Sequence, residues 1–217
     1  MPINVGSSTR TELRRVPKKE VLDTEAVKSI LDESLFGNLA CIVDGQPFIM
    51  PVGFARHEDE IFIHGSSASR LLKVLAKGQP TCFSTTILDG LVVARSAMNS
   101  SMNYRSVMAL GICRELEGEE KLRALDLITE RLLPGRTKDA RPTSPQEDKA
   151  TIVLALDLSE CSCKIGSKYP EDDPEDLVDN VYGEIWAGII PIQQVYGKPI
   201  PDPQTLKKRI PLPEYFK

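Results

Sequence analysis

No apolar run in the chain approaches the roughly 18–20 residues that cross a bilayer. The opening stretch MPINVGSSTRTELRR also lacks the apolar segment of a secretory leader, so a soluble, cytoplasmic protein is expected. Basic excess is missing too: 27 Lys and Arg stand against 31 Asp and Glu, a formal charge of −4, which argues against general nucleic-acid binding. There are only two histidines, and no cluster of Cys, His and carboxylates recurs at metal-ligand spacing, so no metal is expected. Walker loops, G-x-G-x-x-G and G-x-S-x-G are absent, which removes support for nucleoside triphosphate chemistry and hydrolase triads. The five cysteines are odd in number, and Cys161-x-Cys163 has neither redox nor zinc spacing, so buried reduced thiols are expected. No internal repeat occurs.

What is present is a core. Of 217 residues 41% are apolar, enough for one large domain or two small ones. Residues 1–22 are polar and carry five basic residues within ten positions (Arg10, Arg14, Arg15, Lys18, Lys19); they read as an arm that wraps a neighbour or stays loose. Asp23 or Thr24 caps a helix with the stripe Val27, Ile30, Leu31 and Leu35, stopped by Gly37. From residue 38 the period becomes that of strands: 38–43, the turn Asp44-Gly45, 48–55 and 60–64. A loop at 65–69 precedes a short helix at 70–77. Residues 81–88 and 91–96 read as a second hairpin about Asp89-Gly90, and 103–117 as a long strand. The spacing of Leu122, Leu125, Ile128 and Leu132 predicts a helix over 119–133. Residues 134–149 lack periodicity and read as a lid or a disordered segment. Strands follow at 151–158, 161–167 and 184–190, with a solvated acidic loop at 169–179. The expected division is an arm (1–22), one domain (23–191) and a proline-rich, extended tail (192–217). The fold class is mainly β, a small antiparallel barrel with peripheral helices.

Two segments carry chemistry. In Ile61-Phe62-Ile63-His64-Gly65-Ser66-Ser67-Ala68-Ser69-Arg70 a strand runs through a small-residue loop into a helix start. Unpaired N–H groups, the hydroxyls of Ser66, Ser67 and Ser69, and the charged fork of Arg70 suit a phosphate; a serine-capped helix after a strand reads the same way. In Asn103-Tyr104-Arg105-Ser106-Val107, strand alternation sets Asn103 and Arg105 on one face and Tyr104 and Ser106 on the other. Arg105 could reach a phosphate across a subunit boundary and Tyr104 could stack on a ring; an exposed mixed strand is the plain alternative. His64 and Trp186 each fit a structural role or the edge of a bound heterocycle.

Taken in order, Gln46-Pro47-Phe48-Ile49-Met50-Pro51-Val52, the His64-Gly65-Ser66 and Ser69-Arg70 blocks, Asn103-Tyr104-Arg105-Ser106-Val107 and Trp186-Ala187-Gly188 resemble the pyridoxamine 5′-phosphate oxidase-like FMN-binding split-barrel family. The likeness is to its flavin-nucleotide-binding branch, related to nitroimidazole-resistance proteins. The resemblance implies a six-stranded split barrel working as a homodimer with FMN at the subunit interface. Met50, Pro51, Val52, Ile63, His64 and Gly65 would line the flavin ring, and Ser66, Ser69 and Arg70 would hold the phosphate. Tyr104, Arg105 and Ser106 would come from the partner chain, and Trp186 would lie near the ring. It makes His64 the catalytic candidate, by likeness to the nitroimidazole-resistance branch. Pyridoxamine phosphate oxidation is not implied: Leu71 follows Arg70 where the oxidases carry another basic residue, and Ile189-Ile190-Pro191-Ile192 has no arginine. The expected function is an FMN-dependent oxidoreductase for a small planar or quinone-like acceptor, with NAD(P)H as a possible donor. The alternative is a non-catalytic flavin or haem carrier, haem ranking lower because histidines are few. Arg136 and Arg141 are either attractants for an anionic substrate or plain surface charges.

Overall fold

The computed structural model of the chain describes residues 1–14, 17–178 and 181–216. Arg15 of the basic stretch, position 179 of the acidic loop and Lys217 of the tail lie outside the described residues. In chain order the elements are α1 (Thr24–Glu33), β1 (Gly37–Val43), β2 (Gln46–Val52), β3 (Phe54–His57), β4 (Glu60–Ser66), α2 (Arg70–Ala76), β5 (Pro80–Val93), β6 (Ser101–Ile112) and β7 (Arg114–Glu115). They continue with α3 (Gly118–Leu132), α4 (Pro145–Lys149), β8 (Thr151–Asp157), β9 (Cys161–Gly166), β10 (Gly188–Pro191) and α5 (Pro203–Lys208). One antiparallel sheet has the order β2-β1-β5-β6-β9, with β10 beside the far end of β5; the other has the order β3-β4-β8-β7. The chain is mainly β with peripheral helices, as its patterning predicts.

Strand alternation decides what is buried. Leu39, Phe54, Ile61, Ile63, Phe83, Val107 and Leu154 point between the sheets, where α1 adds Val27, Ile30 and Leu31, and α2 adds Leu72 and Leu75. Each such side chain contributes about 1.5–3 kcal/mol on leaving water. Phe62, Val153 and Ala155 point the other way and meet Ala124 and Ile128 of α3 in a second cluster. No helix among the described residues is long and apolar enough to cross a membrane.

Several elements differ from the pattern-based reading, most of them for a long-range reason. Asp44-Gly45 is a turn, with φ of 52° and 76°, but Asp89-Gly90 is not. β5 runs straight through it, and the ladder to β6 slips by one residue between Leu88 and Gly90. Pairing to β6 on one side and β10 on the other turns the dipeptide into a bulge. The expected strand at 48–55 breaks at Gly53 into β2 and β3, which join different sheets. Gly37 opens β1 rather than closing α1, and a Cβ there would stand 2.3 Å from the Phe83 ring. In α3, Leu122 is 42% exposed and Ala124 takes its place in the core. The 134–149 segment contains a turn of 3-10 helix and α4, fixed by a Ser144/Glu147 capping box.

The arm is neither loose nor reaching outward. Val5 bridges Cys161, Glu20 bridges Lys164, Arg10 pairs with Glu160, and Ile3 and Leu13 are buried. The acidic loop is not merely solvated, because Asp172 accepts from both the backbone and the guanidinium of Arg95, each at 2.7 Å. The last strand is confined to β10, so Trp186 precedes it.

Candidate functional site

β2, the end of β4 and the start of α2 meet at one corner of the barrel. Gly65 eases this, since a Cβ would stand 2.6 Å from Cδ1 of Leu72 and that side chain would have to shift. Ser69 caps α2 by accepting from the Leu72 N–H at 3.4 Å, and the Ser66 Oγ accepts from the Ala68 N–H at 3.1 Å. Both hydroxyls keep their own proton to donate. α2 has only seven residues, so charge at this corner comes from Arg70 rather than from the helix. Its exposed guanidinium lies 4.8 Å from the centre of the Phe48 ring, a cation–π contact. Arg70 makes no ion pair among the described residues. Phe48 shares a face of β2 with Met50 and Val52, while Pro51 is exposed on the other face. Ile63 and Val52 are core residues whose side chains lie beneath the corner, so a ligand there would meet their backbone groups.

His64 shares the Phe62 face of β4 and is exposed at the strand's end. It makes no hydrogen bond among the described residues. Desolvation by its surroundings lowers its pKa from the ordinary 6.5, so the imidazole is neutral at pH 7. The other histidine is engaged: Nε2 of His57 lies 3.2 Å from the Arg123 guanidinium.

The trio on β6 is split. Tyr104 and Ser106 pair with Leu88 and Thr86 on the outer face of the six-stranded sheet, whereas Arg105 pairs with Ile87 on the inner side. There its guanidinium binds Asp89 at 2.8–3.2 Å and Glu33 at 2.8 Å, with a second, shorter bond to Glu33. These bonds lower the Glu33 pKa and raise that of Arg105. A phosphate would have to displace two carboxylates, so Arg105 does not stand with Tyr104 and Ser106 as the resemblance implies. Its partners lie 16 and 72 positions away in sequence, and no local motif marks them. The cluster lines a groove of about 920 Å³ together with Phe36, Arg131 and Tyr196.

Trp186 is 62% exposed, its ring lying against Gly188 rather than in the core. Arg136 pairs with Asp139 and Arg141 with Glu147, which favours the plain-charge reading of both. The five cysteines are unpaired thiols; burial pushes Cys113 up to about 12 and Cys161 and Cys163 to about 11. Among the described residues no three His, Cys, Asp or Glu side chains come together as a metal site.

A family model described as pyridoxamine 5′-phosphate oxidase matches residues 23–165. The solved structure of the FAD and heme binding protein from Mycobacterium smegmatis is 36% identical, covers 91% of this chain and 95% of its own, and superposes with a TM-score of 0.86. The flavocytochrome Anf3 from Azotobacter vinelandii is 39% identical over 96% of this chain and 95% of its own, with a TM-score of 0.87. A Bacteroides thetaiotaomicron protein assigned to 5-nitroimidazole antibiotic resistance shares the fold at 20% identity, covering 67% of this chain and 86% of its own, with a TM-score of 0.56. No protein of curated function matches the chain.

Proposed function

Because this chain belongs to the pyridoxamine 5′-phosphate oxidase family, we propose that it binds a flavin nucleotide at the β2–β4–α2 corner and acts as a cytoplasmic oxidoreductase on a small planar acceptor. The observation that carries this reading is the unpaired Arg70, held over Phe48 beside two serine hydroxyls. FMN is the expected cofactor, and FAD contains the same phosphate next to its ribityl chain, so Arg70 serves either; the two most similar solved structures named above bind FAD and heme or are a flavocytochrome.

A bound flavin supplies a ring that accepts and returns a hydride. Arg70 neutralises the phosphate, Ser66 and Ser69 donate to it, and Gly65 lets it approach the backbone. Met50, on the Phe48 face of β2, gives the ring an apolar edge. His64, neutral and open, can take or hold a proton at its exposed nitrogen. A homodimer belongs to this reading. The outer face of the six-stranded sheet exposes Ile42, Ile49, Leu88, Met102 and Ile112, and Tyr104 and Ser106 on that face would complete the corner of a second copy.

Haem is a second reading, favoured by the two relatives at 36% and 39% identity. His64 is the residue suited to hold the iron, because its ring is open, neutral and unbonded while His57 is engaged by Arg123. Histidines are few in the sequence, yet one free imidazole would suffice to hold the iron.

Absorbance of the purified protein separates the readings. Flavin bands support the first, and an added Soret band lost in His64→Ala supports the second. Fluorescence titration of Arg70→Ala with FMN and FAD tests the phosphate assignment, and unchanged affinity for both would refute it.

A further inference from the structure

Of the arm's basic residues, Lys18 and Lys19 lie away from the corner around Arg70. A 3-10 turn at Pro17–Lys19 and the bridge of Glu20 to Lys164 lay Lys18 and Lys19 along the edge of β9. There they meet Lys168 at a cavity of about 310 Å³, lined also by Asn103, Tyr169 and Glu171.

The charges around this cavity are lopsided. Lys18 and Lys168 share one carboxylate, that of Glu171, at 3.2 Å and 2.6 Å. Glu171 is itself 66% exposed and so is a displaceable counterion. Lys19 has no ion pair among the described residues; its ammonium lies 5.0 Å from the centre of the Tyr104 ring. Three cations thus face one movable anion.

The setting is built rather than incidental. Buried Asn103 accepts from the Lys168 N–H at 3.0 Å and donates to the Lys168 carbonyl at 2.9 Å, which pins that turn. Gly166 gives room to Lys19, whose Nζ would stand 3.2 Å from a Cβ there. The 78% exposed Tyr169 lines the cavity with an aromatic face on which a base can stack.

We propose that the Lys18, Lys19 and Lys168 cavity is a second anion site, which takes the diphosphate of an adenine dinucleotide. The proposal rests on the flavin reading, since such a ligand is either the adenylyl half of FAD or a separate nicotinamide donor. At about 310 Å³ the cavity holds a diphosphate and leaves the base to lie over Tyr169. Tyr104 lies on the sheet face offered to a second copy, so an occupant here would run toward a shared flavin. Glu171 is the intramolecular stand-in for the ligand's charge.

The probe is ADP, titrated by calorimetry at low salt into the full chain, which requires no flavin to be bound. Lys18→Gln with Lys19→Gln is expected to weaken ADP about tenfold, since charge-assisted bonds are lost, and Glu171→Gln to tighten it severalfold. Should the site serve FAD, the double variant weakens FAD and spares FMN. Should it serve a donor, the dissociation constant of NADPH rises while both flavins bind as before. ADP, NADPH and the FAD-to-FMN ratio all unmoved in these variants would overturn the proposal. Arg70→Ala keeps the two sites apart: failure of the flavin reading appears there, with ADP binding intact.

Discussion

The two motif arginines, Arg70 and Arg105, have opposite surroundings. Arg70 opens a seven-residue helix, is exposed, rests on the Phe48 ring and has no carboxylate within reach among the described residues. Arg105 sits inside the sheet, a quarter exposed, and is clamped by Asp89 and Glu33. Both belong to sequence blocks that mark the family, yet only one has charge to spare. A guanidinium already neutralised by its own chain holds elements together; an unneutralised one is available to a ligand. Arg105 joins β5, β6 and the end of α1, three elements distant in sequence, while Arg70 joins nothing that needs its charge.

This contrast can be broken by experiment. The largest effect is expected from Arg70→Ala, which should weaken flavin roughly 10–100-fold while leaving the thermal midpoint in place, as loss of a charge-assisted phosphate contact implies. Fluorescence titration beside calorimetric melting reads both. Arg105→Ala should do the reverse. Flavin affinity should persist, and stability in urea should fall by about 1–2 kcal/mol as two neighbouring carboxylates lose their partner at a partly exposed site. Equal losses of flavin from both variants would erase the distinction.

A smaller effect is expected in acid. The hydrogen bond from Arg105 holds the Glu33 carboxyl below its ordinary 4.5, against an opposing desolvation. Its stabilisation is therefore complete above pH 4.5 and is lost as pH falls through the lower folded value. Acid melts of Arg105→Ala should lack that component, and an unchanged acid limb would remove Glu33 from the account. The smallest signal belongs to His64. Desolvation depresses its pKa, so the folded state resists protonation and loses a little stability as pH drops below 6.5. An imidazole proton resonance with its midpoint at or above 6.5 would contradict the desolvated setting.

Much of the barrel was legible because strand alternation and local turns are written in neighbouring residues. Asp44-Gly45, the Asp23 cap and the Val27, Ile30 and Leu31 stripe of α1, and the strand-loop-helix run through Gly65 to Arg70 appear where patterning puts them, although Leu35 lies past the helix end. What escaped was decided by residues far apart in the chain. Asp89-Gly90 has the composition of a turn, but hydrogen bonds from β6 and β10 on either side outweigh that preference. The arm looks solvated because its few apolar residues, Ile3 and Leu13 among them, find a seat only once β8 and β9 exist. Trp186 lies outside a strand because pairing with β5 begins two residues later, at Gly188. At the corner around Arg70, residue types were readable and their order of importance was not. Val52 and Ile63 belong to the interior, and although alternation separates Tyr104 from Arg105, which of the two faces of β6 looks inward is decided by the packing.

The slip in β5 has a further consequence. Ahead of Asp89 the odd-numbered residues Thr81, Phe83 and Thr85 are the concealed ones; beyond it the even-numbered Gly90 and Val92 are. One surplus residue has changed the parity of the strand. The same residue supplies the carboxylate for Arg105 and the carbonyl that receives the Ile192 N–H at 3.0 Å. Deleting it would restore plain alternation with Gly90 and Val92 still concealed, yet would take away the carbonyl that fastens Ile192 and strip the arginine of a partner in a single stroke.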